Sequence, residues 1–462
     1  MDRQEIRKRV YTLLTTWIGV AIQTLLVFAI WYFYYNSTNV IQKIFVFKGH
    51  YFIMAMYVMV LYFFIGKYDA KRIGYLKVGD LIFAHICALI TSNIVFYFEL
   101  CLLAYGFPNP WYLVGTTIIQ ILVAIGFVKI VSWGYLKSFP PHKVLLLYGM
   151  KSVKEFLPKL ATRKDKFEIC ESFRVDEKML TEDEQLCNVI KEKITHYKTI
   201  MLWDIPANAR NELFKFCYGQ DIRVYVMPKI SDIILTGAET MHFFDTPLFL
   251  TRSNPLSLEQ LAVKRVFDLI LCVIILILSL PFMLLTALAI KIYDRGPVLY
   301  KQVRCTTNGK EFNIYKFRSM IVDAEKDGVA RLATKSDSRI TPVGKFIRAT
   351  RLDELPQLFN ILKGDMSFVG PRPERPSIIE KYKKDIPEFG YRTKVKAGLT
   401  GYAQIFGKYN TTPYDKLKLD TYYIEHYSFW LDLQLLIQTA KIIFTPEATE
   451  GVEEGKTTAG KK

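Results

Sequence analysis

Lys264-Arg265-Val-Phe-Asp268-Leu-Ile-Leu-Cys-Val-Ile-Ile-Leu-Ile-Leu-Ser279-Leu280-Pro281-Phe-Met-Leu-Leu-Thr-Ala-Leu-Ala-Ile-Lys291-Ile-Tyr-Asp294-Arg295 is the stretch on which the architecture turns. Its apolar part, Leu269–Ile290, matches the roughly 20 residues that a helix needs to cross a hydrocarbon core of about 30 Å. Three features oppose a simple crossing. Lys264 and Arg265 precede the run and Lys291 and Arg295 follow it, so charge gives no direction of insertion. Pro281 lies in its middle, where a missing N–H and a ring clash break or kink a helix. A crossing would also carry away residues 291–420, whose 26 Lys+Arg and 15 Asp+Glu leave +11 of the chain's +17. Such a segment suits the anionic inner leaflet and anionic ligands. We therefore expect a re-entrant helix over 264–293, interrupted at Pro281; an ordinary kinked span is the competing reading.

Upstream, four apolar segments fill the first part of the 462 residues: Leu13–Tyr34, His50–Gly66, Leu81–Tyr105 and Trp111–Trp133. Arg3, Arg7, Lys8 and Arg9 precede the first, and no small-residue cleavage site follows it, so it reads as an anchor. Lys67, Lys71, Arg72 and Lys77 crowd the second connection, while Phe107–Pro110 has no charge. Positive-inside bias then puts both ends of a four-helix transmembrane bundle in the cytoplasm of a multi-pass inner-membrane protein. His85 and Glu99 within the third segment are expected to make helix–helix hydrogen bonds, or Glu99 to sit near headgroups, in preference to forming an ion path.

From Phe139-Pro140-Pro141 the rhythm changes to strands (Val144–Tyr148, Phe167–Cys170, Thr199–Trp203, Ile222–Met227) alternating with helices (Ser152–Leu160, Glu182–Lys193, Ala207–Tyr218). That alternation predicts a parallel, doubly wound sheet. Gly149 has no glycine partners to make a dinucleotide loop, so a structural, regulatory or dimerising role is expected for this module. The seven cysteines and six histidines are scattered without CxxC or HExxH spacing. Disulfides and zinc are therefore excluded, and a catalytic metal would need oxygen ligands.

Downstream, Arg348-Ala-Thr-Arg351-Leu-Asp353-Glu354-Leu-Pro356-Gln357-Leu-Phe-Asn-Ile-Leu-Lys-Gly364-Asp365 predicts a helix with Pro356 in its first turn and an end at Lys363-Gly364. The Asp-Glu pair would then face phosphate near unpaired N–H groups, with Arg348 and Arg351 just upstream. Alone, such a pair is as readily a capped surface helix with a salt bridge.

The wider pattern is more specific. Lys264-Arg265-Val-Phe-Asp268, Gly296-Pro297-Val, Lys316-Phe-Arg318-Ser-Met320, Arg339-Ile-Thr-Pro-Val-Gly344, Leu352-Asp-Glu-Leu-Pro-Gln357, Gly364-Asp-Met-Ser367, Val369-Gly-Pro-Arg372-Pro-Glu374 and Gly398-Leu-Thr-Gly401 occur in this order. Over about 259–445 the chain resembles the bacterial sugar transferase family, the monotopic phosphoglycosyl transferases. With its N-terminal segments it resembles the long form, the exopolysaccharide polyprenyl glycosylphosphotransferases. The resemblance implies a membrane α plus α/β protein: a four-helix bundle (1–138), a Rossmann-like, non-catalytic domain (139–258), a catalytic α/β domain with the re-entrant helix (259–446) and a disordered tail (447–462).

It also implies transfer of a sugar phosphate from a UDP-sugar to undecaprenyl phosphate with release of UMP, starting capsule or exopolysaccharide repeat units. Glucose or galactose is the expected sugar, an N-acetylated one the alternative. Asp353 would be the nucleophile, and Glu354 would share Mg²⁺ with it. Lys316, Arg318, Arg348, Arg351 and Arg372 are the candidates for phosphate contacts, and Lys396 and Gln404 for further substrate contacts. A solvated basic face is the competing reading of any one cation. Ala397 stands where the family usually has proline, and Leu280-Pro281 where it has Ser-Pro. Membrane lipids are expected partners, nucleic acid is not, and a homodimer is allowed. The rival readings are a non-catalytic assembly scaffold and a polytopic phosphosugar transferase. Tyr414–Phe444 is expected to be one amphipathic helix, lying along the membrane surface or, equally, packed in the core.

Overall fold

The computed structural model describes residues 3–37, 40–41, 45, 48–149, 157, 160–175, 184–322, 324, 337–407 and 411–443. The expected helix Ser152–Leu160 lies largely outside them, and the tail from 447 entirely so. Two compact units divide at Met227/Pro228. The expected boundary at 258/259 thus falls inside the second unit.

The first unit opens with α1 (Arg3–Ile30, continued by a π turn to Tyr35), α2 (Lys48–Lys67), α3 (Val78–Ala104) and α4 (Trp111–Ser138), each long and apolar enough to cross a membrane. Side chains from all four meet in a polar node. Asn93 Nδ2 donates to Gln120 Oε1 (2.7 Å) and Thr117 Oγ1 (2.7 Å), and Tyr57 Oη donates to Asn93 Oδ1 (2.9 Å). Gln23 and Gln120 exchange side-chain bonds to each other's backbone carbonyls. The helix–helix bonds are thus made by amides that the sequence reading passed over. His85, by contrast, bonds Leu81 of its own helix.

Beyond α4 comes a fully parallel sheet: β1 (His142–Tyr148), β2 (Phe167–Arg174), β3 (Thr199–Trp203) and β4 (Arg223–Val226) in the order β2-β1-β3-β4. Apolar residues facing both sides of β1 and β3 form its core with α5 (Glu184–Thr195) and α6 (Ala207–Gly219). Both-face burial is what near-continuous apolar runs such as Val144–Leu147 encode. Lys8 and Arg223 approach His142 Nε2 at 3.0 and 3.2 Å. Burial and those two cations push the His142 imidazole down to about 4.

In the second unit, α7 (Ile230–Thr236) packs Ile230 into a core with Cys305, Ile379, Phe389 and Leu417. A two-stranded ribbon, β5 (Glu239–Phe243) and β6 (Thr246–Leu250), precedes α8 (Leu258–Asp294). Here the expected break needs correcting: α8 is one helix of 37 residues with Pro281 inside it. Proline removes only one donor, and packing on both sides of it holds the helix together. Lys264, Asp268, Cys272, Ser279, Met283, Thr286 and Ile290 form a buried stripe at three-, four- and seven-residue steps along its length. The opposite face exposes Ile270, Ile274, Ile277, Leu278, Leu284, Leu285 and Leu288. β7 (Leu299–Cys305) and β8 (Glu311–Phe317) make a hairpin, and β9 (Met366–Val369) pairs in parallel with β10 (Ala397–Thr400). The expected helix Tyr414–Phe444 is instead two, Pro413–Glu425 and Phe429–Ile443, because Ser428 Oγ accepts from Leu431 N and starts a new helix.

Candidate active site

Three glycine-bearing motifs build the floor of the site by close backbone approach. A Cβ at Gly344 would lie 1.9 Å from the Ser319 carbonyl, so only glycine lets α9 (Pro342–Ala349) sit on the strand end that carries Lys316 and Arg318. Thr341 caps α9, its Oγ1 accepting from Gly344 N at 2.9 Å. Gly370 and Gly398 pack backbone to backbone, with Gly370 N donating to Thr400 and Gly398 N to Pro371, which fixes the turn before Arg372. Ala397, in place of the usual proline, donates its N–H to Thr306 Oγ1 at 3.2 Å, a bond no proline could make.

After α9 the chain reverses through Arg351, whose φ of 59° is in the left-handed region and costs a non-glycine residue about 1–2 kcal/mol. Asp353 and Glu354 then lie on a 3₁₀ turn, Leu352–Glu354, and the helix α10 begins only at Gln357. The expected helix N-terminus at the pair is therefore corrected. Pro356 is the N-cap, because the 3₁₀ bonds Glu354 N→Arg351 O and Leu355 N→Leu352 O occupy the preceding turn. The expected end stands: Gly364 closes α10 in the left-handed conformation, φ 92°. Leu352 and Leu355, flanking the pair, pack against Met283 and Ile290 of α8 with Phe317 and Ile347. The dyad thus sits directly on the apolar helix.

Two cations converge on one oxygen. Glu354 Oε1 accepts from Lys316 Nζ at 3.1 Å and from Arg372 Nη2 at 3.2 Å. Burial alone would push the Glu354 carboxyl up, but Lys316, Arg372 and Arg351 outweigh it and hold it well below the usual carboxylate range. Asp353 is 9% exposed, and none of the described residues donates a hydrogen bond to its carboxylate. Burial, then the Glu354 charge, push its pKa up in spite of Lys316, Arg348 and Arg351. One member of the pair is thus a firmly held anion; the other is a buried, more basic carboxylate to which no described residue donates.

Arg372 is itself supported from behind. Arg392 Nη2 donates to its carbonyl (3.0 Å), and Arg392 pairs with Asp420 (2.8 Å) and with Glu374 (3.4 Å). Lys416 and Arg304 complete the ring around Glu374. Asn360, fully buried, bonds Tyr315 N (3.0 Å) and Asn313 O (2.8 Å), tying α10 to the strand of Lys316. Sequence reasoning assigned no role to Asn360, Arg392, Asp420 or Lys416; a buried asparagine in an apolar helix was the one available signal.

The other expected residues divide. Arg348 and Arg351 lie close enough to lower the Asp353 pKa, so the pair and four cations are brought together. Arg318 is buried and pairs with Asp294 at the end of α8 instead. Lys396 sits among Arg265, Asp268 and Asp365, and burial followed by Arg265 lowers its pKa. Gln404 lies on the short helix Tyr402–Phe406 with its Nε2 buried and unbonded.

Among the described residues no group of three or more His, Cys, Asp and Glu could hold a metal. Asp353 and the second oxygen of Glu354, to which no described residue donates, remain as a two-carboxylate donor set. That set fits magnesium, which keeps water and phosphate oxygens beside one or two carboxylates.

Residues 259–446 match the family described as bacterial sugar transferase. The chain is 38% identical over 232 residues to a UDP-N-acetylgalactosamine-undecaprenyl-phosphate N-acetylgalactosaminephosphotransferase of Aeromonas hydrophila, covering 50% of this chain and 54% of that one. It is 41% identical over 221 residues to a UDP-glucose:undecaprenyl-phosphate glucose-1-phosphate transferase of Klebsiella pneumoniae, covering 47% of each. A putative undecaprenyl-phosphate N-acetylgalactosaminyl 1-phosphate transferase of Bacillus subtilis is 52% identical over 134 residues, 29% of this chain and 74% of that one. The matched part spans about half the length of the first two of these relatives.

Proposed function

The chain belongs to the bacterial sugar transferase family, and from that premise we propose that it transfers a sugar phosphate from a UDP-sugar to undecaprenyl phosphate, releasing UMP. The observation that carries this reading is the asymmetry of the dyad: Glu354 is clamped by Lys316 and Arg372, while Asp353 beside it is free to react.

An Asp353 oxygen attacks the sugar-bearing phosphorus, and the bond from that phosphorus to the bridging oxygen breaks, releasing UMP. The polyprenyl phosphate oxygen then attacks the same phosphorus, the aspartyl–phosphorus bond breaks, and the carboxylate is restored. A carboxylate meeting a phosphate charge at 4 Å is repelled by about 4 kcal/mol per pair at an effective dielectric of 20. Lys316, Arg372, Arg348 and Arg351 offset that repulsion and orient the diphosphate. Asp353 and Glu354 would hold Mg²⁺, which when bound neutralises charge on the phosphate oxygens. Glucose, galactose and N-acetylgalactosamine all stand in relatives' names, so the sugar is read only as a hexose.

That reading keeps the site at the cytoplasmic face, with α8 entering the membrane as an unbroken helix through Pro281 and both of its basic ends on that side. What supports this is charge: Lys264 and Arg265 before the apolar run and Lys291 and Arg295 after it give α8, which is long and apolar enough to cross, no direction of crossing, and residues 291–420 carry a net +11 suited to the anionic inner leaflet. The same reading includes initiation of capsule or exopolysaccharide units and a homodimer. Purified chain given Mg²⁺, undecaprenyl phosphate and a panel of UDP-sugars should release UMP with one of them. Asp353→Asn should lower that rate by at least about 10³-fold. UMP release by Asp353→Asn at the parental rate would remove the residue from the mechanism.

A further inference from the structure

The α/β module joins the helices of its own unit through a cluster of cations. In a fully parallel sheet every strand begins at the same edge, and here each begins at or beside a basic residue: His142-Lys143 on β1, Lys166 before β2, Lys198 before β3 and Arg223 on β4. This edge meets the start of α1 and the α2–α3 connection. Lys8 of α1 and Arg223 both reach His142 Nε2, at 3.0 and 3.2 Å, so two positive ends stand beside one atom. Arg163 Nη1 donates to the Tyr75 carbonyl at 2.9 Å. Lys166 Nζ lies over the rings of Tyr75 (4.5 Å), Phe167 (5.1 Å) and Tyr225 (5.7 Å).

Charge within the cluster does not balance. Glu5 pairs with Arg223, and Asp165 turns both its oxygens to Arg163, so the four cations Lys8, Arg163, Lys166 and Arg223 stand against two carboxylates. His142 does not make up the difference, since a neutral imidazole nitrogen offers one lone pair to two donors. Lys8, His142, Lys166 and Arg223 are half-buried, so water screens them only in part. Burial, then Arg163, push the Lys166 pKa down, a shift that a nearby anion reverses. Position selects the anion. The cluster adjoins the ends of α1 and α4, both long and apolar enough to cross a membrane, which is the depth of lipid headgroups. A phosphodiester there presents acceptor oxygens to cations from different elements, and basic pockets beside spanning helices take such groups. A zwitterionic lipid brings an ammonium of its own into a site already positive; an anionic one does not.

We propose that Lys8, Lys166 and Arg223 form a headgroup site for one anionic phospholipid, whose phosphate bridges α1 to the edge of the sheet. All three residues belong to the first unit, and the site is independent of phosphotransfer, so a failed UMP assay leaves it standing. The full chain in a non-ionic detergent, titrated with lipid and followed by native mass spectrometry, should bind phosphatidylglycerol at least tenfold more tightly than phosphatidylcholine. Lys8→Gln with Lys166→Gln should weaken phosphatidylglycerol binding at least fivefold, and Lys8→Gln alone, at the first turns of α1 where folding is least at risk, about threefold. Lys143→Gln with Lys164→Gln, which removes the same charge from exposed positions nearby, should leave it within about twofold. Excess inorganic phosphate should not displace the lipid. Equal binding of the two lipids by the parent, an unchanged constant in the Lys8 variants, an equal loss in the exposed pair, or displacement by inorganic phosphate would overturn the assignment.

Discussion

Polar groups are buried in both units, but by different means. In the four N-terminal helices the node of Gln23, Tyr57, Asn93, Thr117 and Gln120 is wholly neutral. In the second unit the nodes are ionic: Glu354 with Lys316 and Arg372, Glu374 with Lys416, Arg392 and Arg304, and Asp420 with Arg392, the last pair 2% exposed on each side. Burying an ion costs several kcal/mol, recovered only by a close partner and filled hydrogen bonds, whereas an amide costs far less. Neutral bonds suffice where helices need only a register. Under the proposed reaction, charges are kept where a multivalent phosphate would bind, since a preset field needs no rearrangement during reaction.

The contrast can be broken by substitution. The largest effect is expected from Glu374→Gln, which strands Lys416 and Arg304 and should destabilise the second unit by about 3–5 kcal/mol at neutral pH in denaturant titrations. Despite burial, Lys416 and Arg392 hold the Glu374 carboxyl down to about 2, against an ordinary 4.5. Because the folded value is the lower one, this stabilisation is complete above about pH 4.5 and is lost as pH falls towards 2. The gap between parent and variant should therefore close across that window; a constant gap would show that the charge is not its source.

Lys316→Met or Arg372→Ala should slow UMP release about 10²-fold, near 3 kcal/mol. Each removes a charge that offsets burial at Glu354, so the acid limb of the pH–rate profile should move to higher pH. A uniform loss at every pH would reduce the cation to a phosphate contact. Smallest should be Asn93→Leu, about 1 kcal/mol or less in thermal melts with UMP release unchanged, because the remaining amides can pair again. If it costs as much as Glu374→Gln, the distinction between the two kinds of node fails.

Periodicity and composition alone determined the apolar segments, the parallel strands and the turn at Gly364, because each reflects a local pattern that one residue and its near neighbours impose. The ordered motifs likewise singled out Asp353, Glu354, Lys316 and Arg372. Only the tertiary structure decided that Arg318 turns to Asp294, that Pro281 stays within a helix, that Pro356 caps rather than enters one, and that Arg392 braces Arg372 from a distant segment. Those outcomes depend on which groups, far apart along the chain, are dried together. The energy of a buried charge is set by its partners in space, and no local pattern of residues carries that information.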